Sequence, residues 1–249
     1  MTLVGVIACS SAPSTRKINE RLDFCERQYL STSWVERQKA VLEVSAYNHE
    51  RAYDFLVKAL NDQNPAVRID AMRGIQNHFH EKISPDIYVS AVKNDSSNKV
   101  RLEALDILIA YKNPDHFPVF VNAFGNADWL FRESAIRGIT AIDDDEIEQK
   151  SIPYIVKAIR DPSPNVRISA LTTVTIKSPL IYEEIRLLFY EKDYDKKVTI
   201  LSASLTALKG YDLDIRLRER VKGLIIHDNE EIRILALRVL KSEPAYLKK

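Results

Sequence analysis

DQNPAVRIDAMRGI, residues 62–75, reads as a turn running into a helix. Asp62 and Asn64 are turn formers and helix-entry residues. Val67, Ala71, Met72 and Ile75 then recur at helical spacing. The same wording returns along the chain. With Ala71 as anchor, its context recurs around Ala40, Ala104, Ala135, Ala170, Ser204 and Ala236, at gaps of 31 to 35 residues. Three residues before the anchors stand Arg37, Arg68, Arg101, Arg132, Arg167, Leu201 and Arg233. Nine before them stand Asp62, Asp95, Asp161 and Asp195; Asn126 takes the place once, and Asp228 is displaced by one. One residue past the anchors come Val41, Met72, Leu105, Ile136, Leu171, Leu205 and Leu237.

Upstream of each such segment lies a second amphipathic stretch, as in RAYDFLVKAL and IPYIVKAIRD. Each unit is therefore helix, turn, helix. A single pair cannot bury its apolar stripe, so neighbours must stack, and a period of this length means a solenoid. The expected fold is an all-α, right-handed α-α superhelix of about seven helix pairs. The expected organisation is a leader and tether over 1–16, the solenoid over 17–243 and a tail over 244–249.

The pattern resembles the HEAT-repeat family, in particular the short bacterial repeats of the phycobilisome-lyase type. The segments that carry the resemblance are D-x-x-P-x-V-R-x-x-A at 62–71, its counterpart at 161–170 and the variant with Asn98 at 95–104. The resemblance implies architecture, with second helices lining a concave face, and leaves activity open.

Composition narrows the function classes. Lys plus Arg is 36 against 35 for Asp plus Glu, a balance that opposes a nucleic-acid binder. No phosphate-cradling loop, Ser-His-Asp order or zinc spacing appears, so no catalytic, cofactor or metal residue is assigned. His49-Glu50 and His80-Glu81 are similar to the metal-binding His-Glu pairs of deoxyhypusine hydroxylase, a HEAT-repeat di-iron enzyme. That family carries four pairs around the Arg position, whereas these two stand nine residues after the anchors, and solvated turns are expected. Trp129 is expected to pack with Phe117, Phe120, Phe124 and Phe131. Cys25 is expected to be a small core residue of the first pair.

The recurrent Arg and Asp residues read as a structural ladder: a guanidinium fork suits a turn carboxylate and free turn carbonyls together. Its members are Arg37, Arg68, Arg101, Arg132, Arg167 and Arg233 with Asp62, Asp95, Asp161 and Asp195; Leu201 interrupts it. A protein or peptide partner is expected on the second helices, at Arg73, Asp106, Arg137, Thr172 and Thr206. At the far end Leu235 and Val239 are expected to form an apolar face: either Tyr246 and Leu247 of the tail cover it, or it supplies anchors for another protein or a second copy.

Val6-Ile7-Ala8-Cys9 resembles a bacterial lipobox, and SSAPST beyond it resembles the tether after a lipidated cysteine. The resemblance implies acylation of Cys9 and a membrane tether at the bacterial envelope. The reading as a whole is a non-catalytic protein-binding scaffold or adaptor. The rival is a HEAT-repeat enzyme or enzyme-maturation factor, lyase-like or metal-dependent, using the concave face.

Overall fold

The computed structural model describes residues 15–242. The lipobox with Cys9 and the covering tail lie outside the described residues. Among the described residues the regular structure is helical throughout. The helices are α1 (Thr15–Gln28), α2 (Trp34–Val44), α3 (Glu50–Ala59), α4 (Pro65–Phe79), α5 (Asp86–Asn94), α6 (Asn98–Tyr111) and α7 (Phe117–Phe124). They continue as α8 (Trp129–Ala141), α9 (Asp145–Ile159), α10 (Pro164–Thr173), α11 (Pro179–Leu188), α12 (Val198–Leu208), α13 (Ile215–Gly223) and α14 (Glu230–Lys241). Short 3-10 turns occur at Pro114–His116, Tyr194–Lys196 and Leu224–Ile226. No described helix is long and apolar enough to cross a membrane.

The chain divides into two compact units. One comprises Met1–Ile87 with Asn94–Glu103, the other Tyr88–Lys93 with Ala104–Lys249. In the first, α2 packs on α4 and α3 on α4; in the second, α8, α10, α12 and α14 pack in succession, with α7, α9, α11 and α13 against them. The second helix of each pair carries the anchor. All six anchor alanines and Ser204 are fully buried, because a small side chain lets two helix backbones approach.

Local chemistry explains where these helices start. Asn64, Asp128, Asp144, Ser178, Asp214 and Asn229 each accept a backbone N–H of the first turn that follows, satisfying donors that a helix cannot satisfy internally. Pro65, Pro164 and Pro179 open α4, α10 and α11, where a missing N–H costs nothing. Closeness of the layers is visible at two glycines. Gly138 of α8 lies against the Phe120 ring of α7, and Gly74 of α4 against Ser45 and Leu56.

Cys25 is fully buried in α1. Burial, with Glu43 adding to it, pushes its thiol up to about 11, so it is a packed side chain and not a thiolate at neutral pH. Trp129 departs from the expectation. As the first residue of α8 it is 39% exposed. Phe117 and Phe124 instead meet Tyr154 edge-on, at ring centroid distances of 5.9 and 6.2 Å.

Candidate partner-binding surface

Along the turn edge of the pairs a single arginine geometry repeats. Arg68 sends Nε and Nη2 to the two carboxylate oxygens of Asp95 at 2.9 and 2.7 Å. Its Nη1 donates to the carbonyls of Asp62 and Gln63 at 2.7 and 3.1 Å. Arg37 holds Asp62 in the same way, at 2.7 and 2.9 Å, and donates to the carbonyls of Ser31 and Thr32. Arg132 holds Asp161 at 2.8 and 2.9 Å and donates to the carbonyls of Asn126 and Ala127. Each guanidinium thus closes its own turn and grips the turn of the following pair. Arg101 occupies the same place in α6, and Arg233 donates to the carbonyls of His227 and Asp228.

The carboxylates have a second task. Asp62, Asp95 and Asp161 each accept the N–H two residues on, from Asn64, Ser97 and Ser163. Ser31, Asn126 and His227 make the same turn bond to Ser33, Asp128 and Asn229. The column six before the arginine is therefore a turn-capping column, filled by Asp where a carboxylate must also meet an arginine. In the last pair His227, and not Asp228, holds the place.

Asp195 departs from the ladder. Arg167 donates through Nη2 to Glu191, at 3.2 and 3.4 Å, while Asp195 lies with Arg220 at 3.2 and 3.1 Å. The reason is an insertion. The N–H groups of Asp62, Asn126, Asp161 and Glu191 all close on the last turn of the preceding helix, at Ala59, Ala123, Ala158 and Leu188. Glu191 is thus the structural counterpart of Asp62, four residues farther from its anchor. The added residues include Asp193, in the left-handed region at φ 57°, and the fully buried Tyr194. The Tyr194 hydroxyl donates to the Ile200 carbonyl at 3.2 Å and pairs with the Ser204 hydroxyl. Where Leu201 replaces the arginine, His227 Nε2 stands 3.1 Å from the Asp195 carbonyl, and Arg220 Nε donates to the Phe189 carbonyl at 3.0 Å.

The ladder has an acid limit. Burial pushes the Asp62 carboxyl up, but Arg37, the Asn64 N–H and Tyr29 outweigh it and hold it below the usual carboxylate range. Asp161 is held down likewise by Arg132 and the Ser163 N–H against its burial. A carboxyl with a folded pKa below its unfolded value of about 3.9 adds stability that is fully present above that value. That stability disappears as pH falls through the depressed value. Urea midpoints are therefore expected to fall below about pH 4, and less steeply in Asp62→Asn. Parallel wild-type and variant curves would remove Asp62 from the account.

The solvent-exposed face of the second helices has a different character. In the first unit Arg73 is paired with Glu103 at 2.7 and 2.6 Å, and Gln38 donates to the nearly buried Asp70 at 2.7 Å. In the second unit Arg137 stands 3.7 Å from both Asp106 and Glu133, and the Ser169 hydroxyl donates to Glu133 at 2.7 Å. Thr172 and Thr206 are exposed, and their hydroxyls donate to the carbonyls of Ile168 and Ser202 at 2.9 Å each. Their lone pairs remain open to a ligand donor. Leu130 is 39% exposed. It lies three residues before Glu133 and seven before Arg137, so all three share one face of α8.

At the far end one of the two expected anchors, Val239, is corrected. Val239 is buried, 2% exposed, and Leu235 is half-buried. Ile232, Ala236 and Val239 form the inward stripe of α14, four and three residues apart. The exposed apolar residues there are Ile234 and Leu237.

His49, Glu50, His80 and Glu81 come together in a recess of about 320 Å³, with Asn48, His78, Phe79 and Lys82. His49 Nδ1 accepts the Arg51 N–H at the start of α3, and Glu50 is paired with Lys82, whose Nζ lies 3.9 Å from the Tyr53 ring centroid. Among the described residues no group of three or more His, Cys, Asp or Glu is disposed to hold a metal ion.

Comparisons with known proteins agree with the repeat geometry. The model of the family "HEAT repeats" matches residues 86–174. No curated protein sequence matches the chain. Among solved structures, an archaeal HEAT-like repeats protein from Thermococcus onnurineus NA1 is similar at 14% identity and a TM-score of 0.53, over 92% of this chain and 97% of that one. A chain of the complex of CpcE and CpcF of phycocyanin lyase from Nostoc sp. PCC7120 is similar at 15% identity and a TM-score of 0.51, over 96% and 99%. Residues 86–174 thus match the HEAT-repeat model, and the described residues have the all-α, helix-pair fold of the HEAT/armadillo solenoid type.

Proposed function

We propose that this protein is a non-catalytic scaffold that binds an extended peptide segment of a protein partner across the solvent-exposed faces of α8, α10 and α12. The observation that carries the reading is the division of labour among its polar side chains. The buried and half-buried charges of the turn edge are consumed in ties between pairs, while the second helices hold out Leu130, Arg137, Thr172 and Thr206. Threonine oxygens whose protons are already given to carbonyls accept the N–H groups of an extended chain, Arg137 supplies donors and Leu130 an apolar contact. Helices packed 8–10 Å apart place such groups at intervals matched by about three extended residues.

A peptide library displayed against the full chain tests this. Selected peptides are expected to lose at least about tenfold in affinity to Thr172→Val with Thr206→Val, since their N–H groups then meet no acceptor there, with helicity unchanged. Binding indifferent to both substitutions places the partner elsewhere. Iron or a tetrapyrrole retained by protein purified from its native source would favour the rival enzyme or maturation-factor reading; the chain's structural similarity to a phycocyanin lyase chain shows the fold alone.

The proposal extends to location. Val6-Ile7-Ala8-Cys9 supports acylation at Cys9 and a tether to the bacterial envelope, because two buried acyl chains anchor stably. Mass spectrometry of the native N-terminus decides it: an unmodified residue at that position ends the tether reading.

A further inference from the structure

The residue one past each anchor is an interface position. Val41, Met72, Leu105, Ile136, Leu171 and Leu205 are at most 3% exposed, whereas Leu237 in the same column is 40% exposed. Ile234 beside it is 42% exposed. Glu230, Ile234, Leu237 and Lys241 follow one another by four, three and four residues, so they form one stripe along α14. Glu230 and Lys241 are exposed at its two ends. The stripe reads acid, apolar, apolar, base from the N-terminal to the C-terminal end of the helix.

That order is self-complementary in one orientation only. A second α14 laid antiparallel about a two-fold axis brings Ile234 onto the partner subunit's Leu237 and Leu237 onto the partner subunit's Ile234. The same placement sets Glu230 against the partner subunit's Lys241, and Lys241 against the partner subunit's Glu230. A parallel placement sets like charge against like charge at both ends. We propose that this stripe is a homodimer contact, covered by a second copy of the chain in the antiparallel, two-fold arrangement. A two-fold axis makes every contact twice, and the assembly closes at two copies. One helix face per subunit is a small interface, below the 1,200–2,000 Å² of standard ones, so the association is weak and concentration-dependent.

Sedimentation equilibrium of the full chain at low ionic strength, from micromolar to near-millimolar protein, tests the proposal. The expected mass moves from monomer to dimer and no further. Glu230→Lys or Lys241→Glu alone is expected to weaken dimerisation by about tenfold or more, since each turns two attractions into two like-charge repulsions. Both together restore the charge order in reverse and recover the dimer; circular dichroism verifies the helicity of each variant. A wild-type chain that stays monomeric overturns the proposal, as does assembly growing beyond the dimer. So does a double variant no stronger than the single ones.

Discussion

Arg68→Ala is expected to cost roughly 3–5 kcal/mol of unfolding free energy, the range for removing one member of a buried ion pair. The side chains of Arg68 and Asp95 are only 10% and 12% exposed. Removing the guanidinium leaves the Asp95 carboxylate without its fork and the carbonyls of Asp62 and Gln63 without their donor. The loss comes from stranding these groups, not from the net value of the pair, which desolvation largely cancels. Arg73→Ala is the control. Arg73 pairs with Glu103 at similar distances, but its side chain is 59% exposed, so the expected loss is at most about 1 kcal/mol. Urea denaturation of the two variants separates the cases. Equal, small losses would mean that water reaches Asp95 as easily as it reaches Glu103, and the register role of the clamp would fall with it.

The clamp also shows how much of this architecture is legible in the residues themselves. Helix, turn and second helix follow from apolar spacing and from Asp and Pro at fixed distances, because those signals are local. The fork between Arg and Asp was legible for the same reason: both columns stay in phase over three pairs. Counting failed at Asp195, where the added residues around the buried Tyr194 moved the structural carboxylate back to Glu191. A count from the anchor has no means of seeing an insertion, although Glu191 does stand just past the first helix of its pair. His227 is not legible as a member of an acidic column, because the constant demand of that column is an acceptor for the N–H two residues on. The inward place of Val239 depends on one fact that no local signal carries, the rotation of α14 about its axis. With Ile232 and Ala236 inward, Val239 must follow them, and Ile234 and Leu237 turn out.

Gly74 and Gly138 each stand three past an anchor, and the second of them carries the other large effect. Gly138→Ala is expected to destabilise by roughly 1–3 kcal/mol, the usual cost of overpacking a filled core. In an exposed helix the same change would stabilise by as much as about 1 kcal/mol, since glycine is the poorer helix former. Here the new Cβ would fall 2.3 Å from two carbons of the Phe120 ring. Phe120 is fully buried, so the ring cannot swing into solvent, and α7 and α8 must separate instead. Gly223 at the end of α13 supplies the opposite sign: nothing lies within 4 Å of a Cβ there, and Gly223→Ala is expected to gain about 0.4–1 kcal/mol through the unfolded chain. Phe120→Leu should then decide the cause. It creates its own deficit by removing ring volume, yet it makes room for the alanine, so the double variant should be more stable than the sum of the single losses predicts. Strict additivity would show that Gly138 is needed for something other than the approach of Phe120.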